Sequence, residues 1–410
     1  MMKKEEKLAY DIRKSMFESI YNSFILLSSI MKKILTLGLL GIGALLLAGC
    51  SQQSTDTSTE KEQVKIGVIA PLSWPAATYG EDAVNAYRSV IADNLDNEQF
   101  DFQLVIEDGK CAGRDAVTAV QKLINVDNVQ VVLGWTCSSE TLAAGEIAQS
   151  QGIVMLSPTS SAPEISNIGD FVFRYWNDLD AAQVLVDHLD TNNIDTIALV
   201  YENVDYPVAY ANTVKDLFDG NIVLEEKFNT DEKDMSIIAS RIAAASNEID
   251  QIIFLPQGDT SAIAFVRALN NAEIWTEFAS KTIGAEAVMS DTFMNELWAL
   301  TNGIKVVQFP PFEELDNKAV SFMDDYSNSY EVKSNPVFVI LDAESLQLTI
   351  DAITMVGNDA NAIREYIAAY DSENPRNGLF GDYYFDRDWD GQGLRFVVQQ
   401  MQDWELIPVE

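Results

Sequence analysis

The sequence is poor in the side chains that bind metals and that catalyse many reactions. Its 410 residues include three cysteines and one histidine, His188. These are too few soft ligands for a zinc centre. No G-x-S-x-G nucleophile motif is present. We therefore expect no metal site and no cofactor, and we expect that the protein is not an enzyme.

Basic residues are also scarce. The chain has 27 lysines and arginines against 63 aspartates and glutamates, which gives a formal net charge of -36. A surface of this sign repels phosphate backbones, so the composition argues against nucleic acid as a partner. Two interpretations of the acidity stay open: a solubilising surface, or a field that attracts cationic ligands.

One apolar run, residues 34–48, follows the basic start Met31-Lys32-Lys33. A basic start, a short apolar run and small residues at its end are typical of an export signal, not of a transmembrane helix. The ending Leu-Ala-Gly-Cys50 resembles a bacterial lipobox. The resemblance implies cleavage before Cys50 and a lipid on its sulfur. The alternative is an ordinary cleavage site that leaves Cys50 as a free thiol.

Met31 is the natural start in this interpretation. Residues 1–30 are then an upstream extension, residues 31–49 a lipoprotein signal peptide, and residues 50–63 a lipidated tether without large apolar side chains. Export places the chain in an oxidising compartment. We therefore predict that Cys111 and Cys137 form a disulfide, worth roughly 3–4 kcal/mol in the chain-entropy model.

Short apolar strands alternate with amphipathic helices beyond the tether. The first half predicts strand 64–70, helix 79–94, strand 103–107, helix 114–125, strand 129–134, helix 138–151 and strand 153–157. The same rhythm restarts after Asp180. Nearly continuous apolar strands of this kind are typical of parallel sheets covered on both faces. The predicted fold class is α/β, with two doubly wound parallel-sheet lobes.

The stretch from Val131 to Glu140 is the predicted ligand receptor. It predicts a buried strand, a turn at Gly134, and a helix that opens at Ser138. A helix N-terminus has unpaired N–H groups and a positive dipole end, which suit a carboxylate. Ligands of open α/β sheets bind at the carboxyl ends of strands. Two facing lobes would therefore form a hinged clamp around the ligand.

A series of short motifs occurs in a fixed order over residues 64–390. They are Pro71-Leu72-Ser73, Tyr79-Gly80, Glu107-Asp108 ahead of Cys111, Cys137-Ser138-Ser139, Ser157-Pro158 through Pro163-Glu164, Phe173-Arg174, Gly284-x-Glu286 and Tyr384-Phe385-Asp386. Together they resemble the type I periplasmic binding proteins of ABC importers, in particular the leucine/isoleucine/valine-binding branch.

The resemblance implies a three-crossing hinge between the lobes. The crossings would lie near Asp180, Phe309 and Phe396. Lobe 1 would comprise residues 64–180 and 310–396, and lobe 2 would comprise residues 181–309 and 397–410.

The resemblance also implies which residues hold an amino-acid ligand. Ser138 would offer its hydroxyl and the helix N-terminus to the carboxylate. The backbone at Thr159, Ser160 and Ser161 would contact the ammonium and the carboxylate, with the Ser161 hydroxyl contributing. The alternatives are a plain helix cap at Ser138, shared with Ser139, and ordinary turn chemistry at 159–161.

Two acidic side chains are candidates for the ligand ammonium. Glu286 is the better counter-charge, because a hydrogen bond between charged groups is stronger than a neutral one; a solvated loop glutamate is the alternative. Asp180 could point at the ammonium or simply cap the next helix. The spacing from Arg174 leaves Asp178 as a competitor of Asp180.

Aromatic side chains would enclose the ligand. The resemblance implies that Tyr206 closes over it, and that Tyr79 and Trp74 form a wall, with core packing as the alternative for the wall. The chain departs from the family pattern at Gln257-Gly258-Asp259, where relatives place an aromatic residue. This departure puts branched-chain specificity in doubt.

One acidic motif points elsewhere. Asp386-Arg387-Asp388-Trp389-Asp390-Gly391 begins like an EF-hand calcium loop. The twelfth position is Val397 instead of glutamate, and strands flank the motif instead of helices. We interpret it as a turn between strands.

The expected function is that of a lipid-anchored substrate-binding protein outside the cytoplasm. It would bind an amino acid or a similar small polar ligand and deliver it to an ABC permease in the membrane. The alternative is a binding or sensor module for amides, urea or another metabolite that feeds a signalling partner. No transmembrane or signalling segment is recognisable after residue 50, which argues against a one-chain receptor.

Overall fold

The computed structural model describes residues 61–410 except positions 74–75, 135, 231, 286–287, 289, 404 and 410. The predicted extension, the signal peptide, Cys50, most of the tether, Trp74 and Glu286 therefore lie outside the described residues. Within the described ranges, none of the helices combines the length and the apolar character needed to cross a membrane.

The first half of the chain builds a five-stranded parallel sheet in the order β2-β1-β3-β4-β5. Its elements are β1 (Glu62–Ala70), α1 (Ala77–Asp93), β2 (Phe100–Asp108), α2 (Gly113–Asn125), β3 (Val131–Gly134), α3 (Ser138–Gln151), β4 (Val154–Ser157) and β5 (Val172–Arg174). Alternate residues of β1 and β3 enter two different cores, one on each face of the sheet. The central strands β3 and β4 are almost entirely apolar, because both faces of the sheet are buried there.

The middle of the chain builds a second sheet. Its elements are α4 (Asp178–Thr191), β6 (Thr196–Glu202), α5 (Asp205–Leu217), β7 (Asn221–Phe228), α6 (Ser236–Ala244), β8 (Gln251–Leu255), α7 (Asp259–Asn271), α8 (Trp275–Phe278), β9 (Thr282–Gly284), α9 (Asp291–Leu297) and β10 (Lys305–Gln308). Alternate residues of β6 and β8 again enter two cores on opposite faces.

The last part of the chain packs against the first sheet and adds strands to the second. Three helices follow β10, namely α10 (Asn317–Ser329), α11 (Pro336–Val356) and α12 (Ala360–Ala368), and α11 packs in the core of the first sheet. A small antiparallel sheet comes next, formed by β11 (Arg376–Gly378), β12 (Gly381–Phe385) and β13 (Gly391–Gln392). Finally β14 (Val397–Gln402) and β15 (Glu405–Pro408) complete the second sheet, whose order is β15-β14-β10-β9-β8-β6-β7.

Each of the three passages between the sheets carries a large aromatic residue. Trp176 precedes α4, Phe309 follows β10, and Phe396 precedes β14. Their rings touch one another, with centroids 4.7 Å apart for Phe309–Phe396, 5.2 Å for Trp176–Phe309 and 5.4 Å for Trp176–Phe396. Aromatic pairs at such distances attract each other beyond their burial. The hinge is therefore one packed cluster instead of three independent linkers.

The predicted fold class is confirmed: two doubly wound α/β lobes are joined by three crossings. The bounds differ in places. β1 begins at Glu62, inside the predicted tether, and β2 runs from Phe100 to Asp108 instead of 103 to 107. The polar residues Asp101 and Gln103 alternate with apolar ones along β2, which is an edge strand, and this alternation hid its true length. The exact lobe boundaries stay a prediction.

Candidate functional site

The turn before α3 is built as the sequence predicts. Gly134 has a φ of 102°, and a Cβ there would lie 2.3 Å from the Ile69 carbonyl oxygen, so this turn requires glycine. Helix α3 begins at Ser138, but the cap position belongs to Cys137, which has extended backbone. The interpretation of Ser138 as a plain N-cap is therefore wrong.

A disulfide anchors this turn. Cys111 and Cys137 are bonded, with Cα atoms 5.3 Å apart, as predicted. Glu140, the third residue of α3, bonds to the backbone of both cysteines. Its Oε1 accepts from the N–H of Cys111 at 3.0 Å, and its Oε2 accepts from the N–H of Cys137 at 3.3 Å. Glu140 is fully buried, and this burial raises the pKa of its carboxyl to about 8.

Hydroxyl groups tie α3 to the loop that follows β4. Ser138 Oγ accepts from the backbone N–H groups of Ser161, at 3.3 Å, and Ala162, at 3.2 Å. Thr141 Oγ1 donates to Ser160 Oγ at 2.6 Å. Because the Ser138 oxygen accepts two bonds, its own O–H is the group that can donate to a ligand.

Arg174 holds the same loop from the other side. Its Nη1 donates to the carbonyl oxygens of Ser161 (2.9 Å) and Ala162 (2.6 Å). Its Nε and Nη2 form a two-pronged pair with Asp390, at 2.5 and 2.8 Å, and only 1% of Arg174 is exposed. The loop that carries Ser161 is thus fixed by an ion pair that the sequence analysis did not predict.

Residues of both lobes meet around one small cavity. It is lined by Ala76, Tyr79, Thr136, Ser138, Thr159, Ser161, Tyr206, Gln257 and Phe338. Five of these were predicted from the sequence: Tyr79, Ser138, Thr159, Ser161 and Tyr206. We call Tyr206 and Gln257 the second-lobe wall and the other lining residues the first-lobe wall. The cavity encloses about 20 Å³, on the order of the room that one water needs, so the two walls lie nearly in contact.

The second-lobe wall is positioned by a buried acid. Glu202 ends β6, and its Oε2 accepts from the N–H of Gln257 at 2.8 Å and from Ser261 Oγ at 2.9 Å. Tyr206 is buried at the start of α5. Gly258, which precedes α7, has open space within 4 Å of the position of an added Cβ. A side chain could therefore be accommodated at this position.

Two predicted residues do not line this cavity. The Ser160 hydroxyl bonds to Thr141 inside the first lobe. Asp180 is exposed, and the pKa of its carboxyl is raised, first by partial desolvation and then by the charge of Asp390. The cap of α4 is Asn177, whose side chain accepts from the N–H of Leu179, so Asp180 is not the cap.

Its competitor Asp178 is fully buried, and its N–H donates to the Ser161 carbonyl oxygen at 2.8 Å. Of these two aspartates, Asp178 therefore lies next to the loop of the cavity. Glu286 lies outside the described residues.

Four lining residues were not predicted as site residues from the sequence, namely Ala76, Thr136, Gln257 and Phe338. Phe338 opens the apolar helix α11 and packs against Tyr79, with ring centroids 6.0 Å apart. Gln257 was predicted only as a departure from the family pattern.

The acidic motif at Asp386 forms a turn between β12 and β13, in which Asp386 Oδ1 accepts from the N–H groups of Asp388 and Asp390. Among the described side chains, no group of three or more His, Cys, Asp or Glu is placed to hold a metal ion.

Known proteins match this chain over most of its length. A family model described as periplasmic binding protein matches residues 63–402. The chain is 24% identical to the Leu/Ile/Val-binding protein of Escherichia coli K12, over 87% of this chain and 95% of that protein. It is 24% identical to the leucine-, isoleucine-, valine-, threonine- and alanine-binding protein of Pseudomonas aeruginosa, over 87% of this chain and 94% of that protein. Both relatives are named for binding, not for catalysis.

Solved structures share the fold. A branched-chain amino acid transporter substrate-binding protein from Streptococcus pneumoniae, in complex with isoleucine, matches with a TM-score of 0.75 and 19% identity, over 84% of this chain and 98% of that one. A solute-binding protein of an ABC transporter from Rhodopseudomonas palustris, in complex with benzoate, matches with a TM-score of 0.74 and 17% identity, over 85% and 95% of the two chains. At these identities the likeness concerns the fold alone.

Proposed function

Because the chain belongs to the periplasmic binding protein family, we propose that it captures a small carboxylate ligand, most simply an amino acid, between its two lobes. One observation carries this proposal: Ser138, Thr159 and Ser161 of the first lobe meet Tyr206 and Gln257 of the second lobe around one cavity. The enclosed space is smaller than an amino acid. The lobes would therefore open to admit the ligand and close over it, which shifts an existing equilibrium.

The first-lobe wall suits the ligand carboxylate. Helix α3 begins at Ser138, which lines the cavity, so the positive end of the helix dipole lies on this side. The Ser138 O–H is available to donate, since its oxygen already accepts two backbone bonds. Ser161 is held in place by the buried Arg174. A receptor that is fixed before the ligand arrives loses less entropy on binding.

The ammonium of an amino acid needs a separate receptor. We keep Glu286 as its proposed counter-charge, and Asp180 as a weaker candidate, because Asp180 is exposed. Tyr206 is proposed to close over the ligand. The relatives named above bind amino acids or, in one structure, benzoate. All of these share a carboxylate, but benzoate lacks the ammonium.

The cellular context is proposed from the sequence. Cleavage before Cys50 and lipid attachment there would anchor the protein outside the cytoplasm, with residues 50–61 as the tether. The ligand-bound, closed form would be recognised by an ABC permease. A binding or sensor module for amides, urea or another small metabolite, which feeds a signalling partner, stays the alternative.

The test is a thermal-shift and calorimetric panel of amino acids, amides, urea and benzoate on residues 51–410. A ligand that binds only the folded protein raises its Tm. Ser138→Ala should weaken every carboxylate ligand by roughly tenfold or more, because it removes one hydrogen bond to a charged group. The matched control is Ser139→Ala, because the Ser139 hydroxyl donates to the Cys111 carbonyl oxygen. Unchanged affinity in Ser138→Ala would refute the proposed carboxylate site.

A second variant separates the ligand classes. Glu286→Ala should abolish binding of amino acids, whose ammonium loses its counter-charge, and should leave benzoate binding intact or strengthened. If Glu286→Ala binds amino acids as tightly as the parent protein, the assignment of Glu286 is wrong, while the cleft itself stays supported by Ser138→Ala.

A further inference from the structure

The second-lobe wall of the small cavity contains one amide side chain, that of Gln257. Its backbone is fixed, because the N–H donates to Oε2 of the buried Glu202 at 2.8 Å. Its side chain is half-buried and lines the cavity, so a ligand can reach it. Among the described residues, the side-chain amide has no hydrogen-bond partner. Gln257 therefore offers both a donor and an acceptor to whatever occupies the cleft.

Closure of the lobes makes an unpaired amide costly. While the cleft is open, water can satisfy both the donor and the acceptor of Gln257. The cavity encloses about 20 Å³, on the order of the room for one water, so little water can stay there when the walls approach. A polar group that loses water and gains no partner is unfavourable. The ligand that best favours closure is therefore one that bonds to Gln257 in place of water.

The charges at the cavity limit the ligand further. Among the described residues that line it, none is Asp, Glu, Lys, Arg or His. Glu202, which bonds to Gln257, and Asp259, two residues further along the chain, do not line the cavity. Their carboxylates accept from the hydroxyls of Ser261 and Ser290. A charged ligand side chain would lose its water at this wall and find no counter-charge there, so a neutral polar side chain is favoured.

We propose that the ligand is an amino acid with a neutral amide side chain, and that Gln257 selects it. This inference rests on the proposed function, because it takes the ligand carboxylate to bind at Ser138. The Gln257 amide donates to the oxygen of the ligand amide and accepts from its N–H group. A hydroxyl has a single oxygen for both bonds, whereas an amide presents its donor and its acceptor side by side. Gly258 leaves open space next to this pair.

Two pairs of ligands with equal shape test the selectivity. Asparagine and leucine have the same branched outline, and so do glutamine and homoleucine. Calorimetry on residues 51–410 should show that at least one amide binds roughly tenfold or more tightly than its apolar counterpart, because a site built for hydrogen bonds rejects the analogue that lacks them. Aspartate, glutamate and lysine should bind more weakly than the preferred amide, since their charges find no partner at Gln257.

The variant Gln257→Met tests the location. It keeps the length of the side chain and removes both polar groups, while the backbone bond to Glu202 can still form. The preferred amide should lose affinity by roughly tenfold or more, whereas its apolar counterpart and alanine should bind no more weakly than before. The matched control is Gln400→Met in the second sheet. Gln400 is also half-buried, but its side chain donates to the Gly303 carbonyl oxygen, so the control should keep the parent preference.

The outcomes separate this inference from the proposed function. Leucine and homoleucine that bind as tightly as the two amides would overturn the role of Gln257, and so would an equal loss for every ligand in Gln257→Met. The proposed carboxylate site would stand in both cases if Ser138→Ala weakens amides and apolar amino acids alike. If no amino acid binds the parent protein, the inference is refuted, and benzoate binding that depends on Ser138 would still support the cleft.

Discussion

The two walls of the cleft are held in different ways. The first-lobe wall is cross-linked by the Cys111–Cys137 disulfide, by the hydroxyl of Ser138 and by the buried Arg174. The second-lobe wall depends on Glu202, which holds Gln257, and beside it Gly258 leaves open space. We infer that the first lobe binds the carboxylate, which all of the proposed ligands share. The second lobe would contact the side chain, which differs from one ligand to the next.

The largest effect should come from removing the buried cation of the first lobe. Arg174→Met leaves Asp390 buried without its cationic partner and also removes one hydrogen bond from each of the carbonyl oxygens of Ser161 and Ala162. Breaking a buried pair in this way costs about 3–5 kcal/mol. We expect a loss of that size in the free energy of unfolding, measured by urea denaturation, together with a loss of ligand affinity.

The matched control for this variant is Arg395→Met. Arg395 pairs with Glu314 at 2.8 Å, but both side chains are about half exposed, and such a surface pair is worth under about 1 kcal/mol. Asp390→Leu added to Arg174→Met should recover part of the lost stability, since no unpaired charge is then buried. Equal stability losses for Arg174→Met and Arg395→Met would mean that the first-lobe wall does not depend on this pair.

The disulfide comes second. Replacing both Cys111 and Cys137 by serine should lower the free energy of unfolding by about 3 kcal/mol, because the unfolded chain is no longer constrained. The N-terminus of α3 should also be less fixed, so ligand affinity should fall. Denaturation and calorimetry of the double variant measure both effects. A reducing agent should reproduce them in the parent protein and should change nothing further in the double variant.

The secondary-structure elements could be predicted from the sequence better than the pairs of distant residues that contact each other in the fold. β1 was placed to within two residues at its start, because only Lys65 interrupts the apolar run from Val64 to Ala70, and such a run has few alternatives. The cysteine pairing was also predictable, since only two cysteines remained. The partner of Arg174 was not: Asp390 lies 216 positions away, in a turn whose acidic pattern suggested calcium. Such a pairing depends on tertiary packing that local patterns do not encode.

The missed contact at Phe338 has a similar reason. Helix α11 is buried along most of its length, and its apolar residues occur on all sides. Nothing in that pattern distinguishes the one phenylalanine that faces the cleft. The amphipathic helices, in contrast, carry their apolar residues along one face, which is the face that is buried. Their orientation could therefore be predicted.

A pH-dependent effect should come third, from Glu140. Its pKa in the folded protein is raised from 4.5 to about 8, mainly by burial and further by the charge of Asp108, although the N–H groups of Cys137 and Cys111 oppose the shift. A raised pKa means that the folded state holds the proton more tightly than the unfolded state. The contribution to stability is therefore fully present below pH 4.5 and is lost as the pH rises toward 8.

The measurement compares the parent protein with Glu140→Gln between pH 5 and pH 8. The stability of the parent relative to the variant should fall by at most about 1.4 kcal/mol per pH unit. The control is Glu146→Gln, an exposed residue of the same helix, whose stability difference from the parent should stay constant. A constant difference for Glu140→Gln as well would show that Glu140 is ionised in the folded protein.

The smallest effect on stability should come from the second-lobe wall. Gly258 has a φ of -154°, which any residue adopts, and an added Cβ meets open space there. Gly258→Tyr should therefore change the free energy of unfolding by less than about 1 kcal/mol, as surface changes usually do. The ring would nevertheless narrow the cleft, so the affinity for large ligands should fall more than that for small ones.

Gly258→Ser, which keeps the cap position polar, is the control that should leave this preference unchanged. Titration of a graded series such as alanine, valine, leucine and phenylalanine measures the preference. If Gly258→Tyr lowers all affinities equally, the second lobe does not read the side chain, and the division of labour between the two walls is wrong.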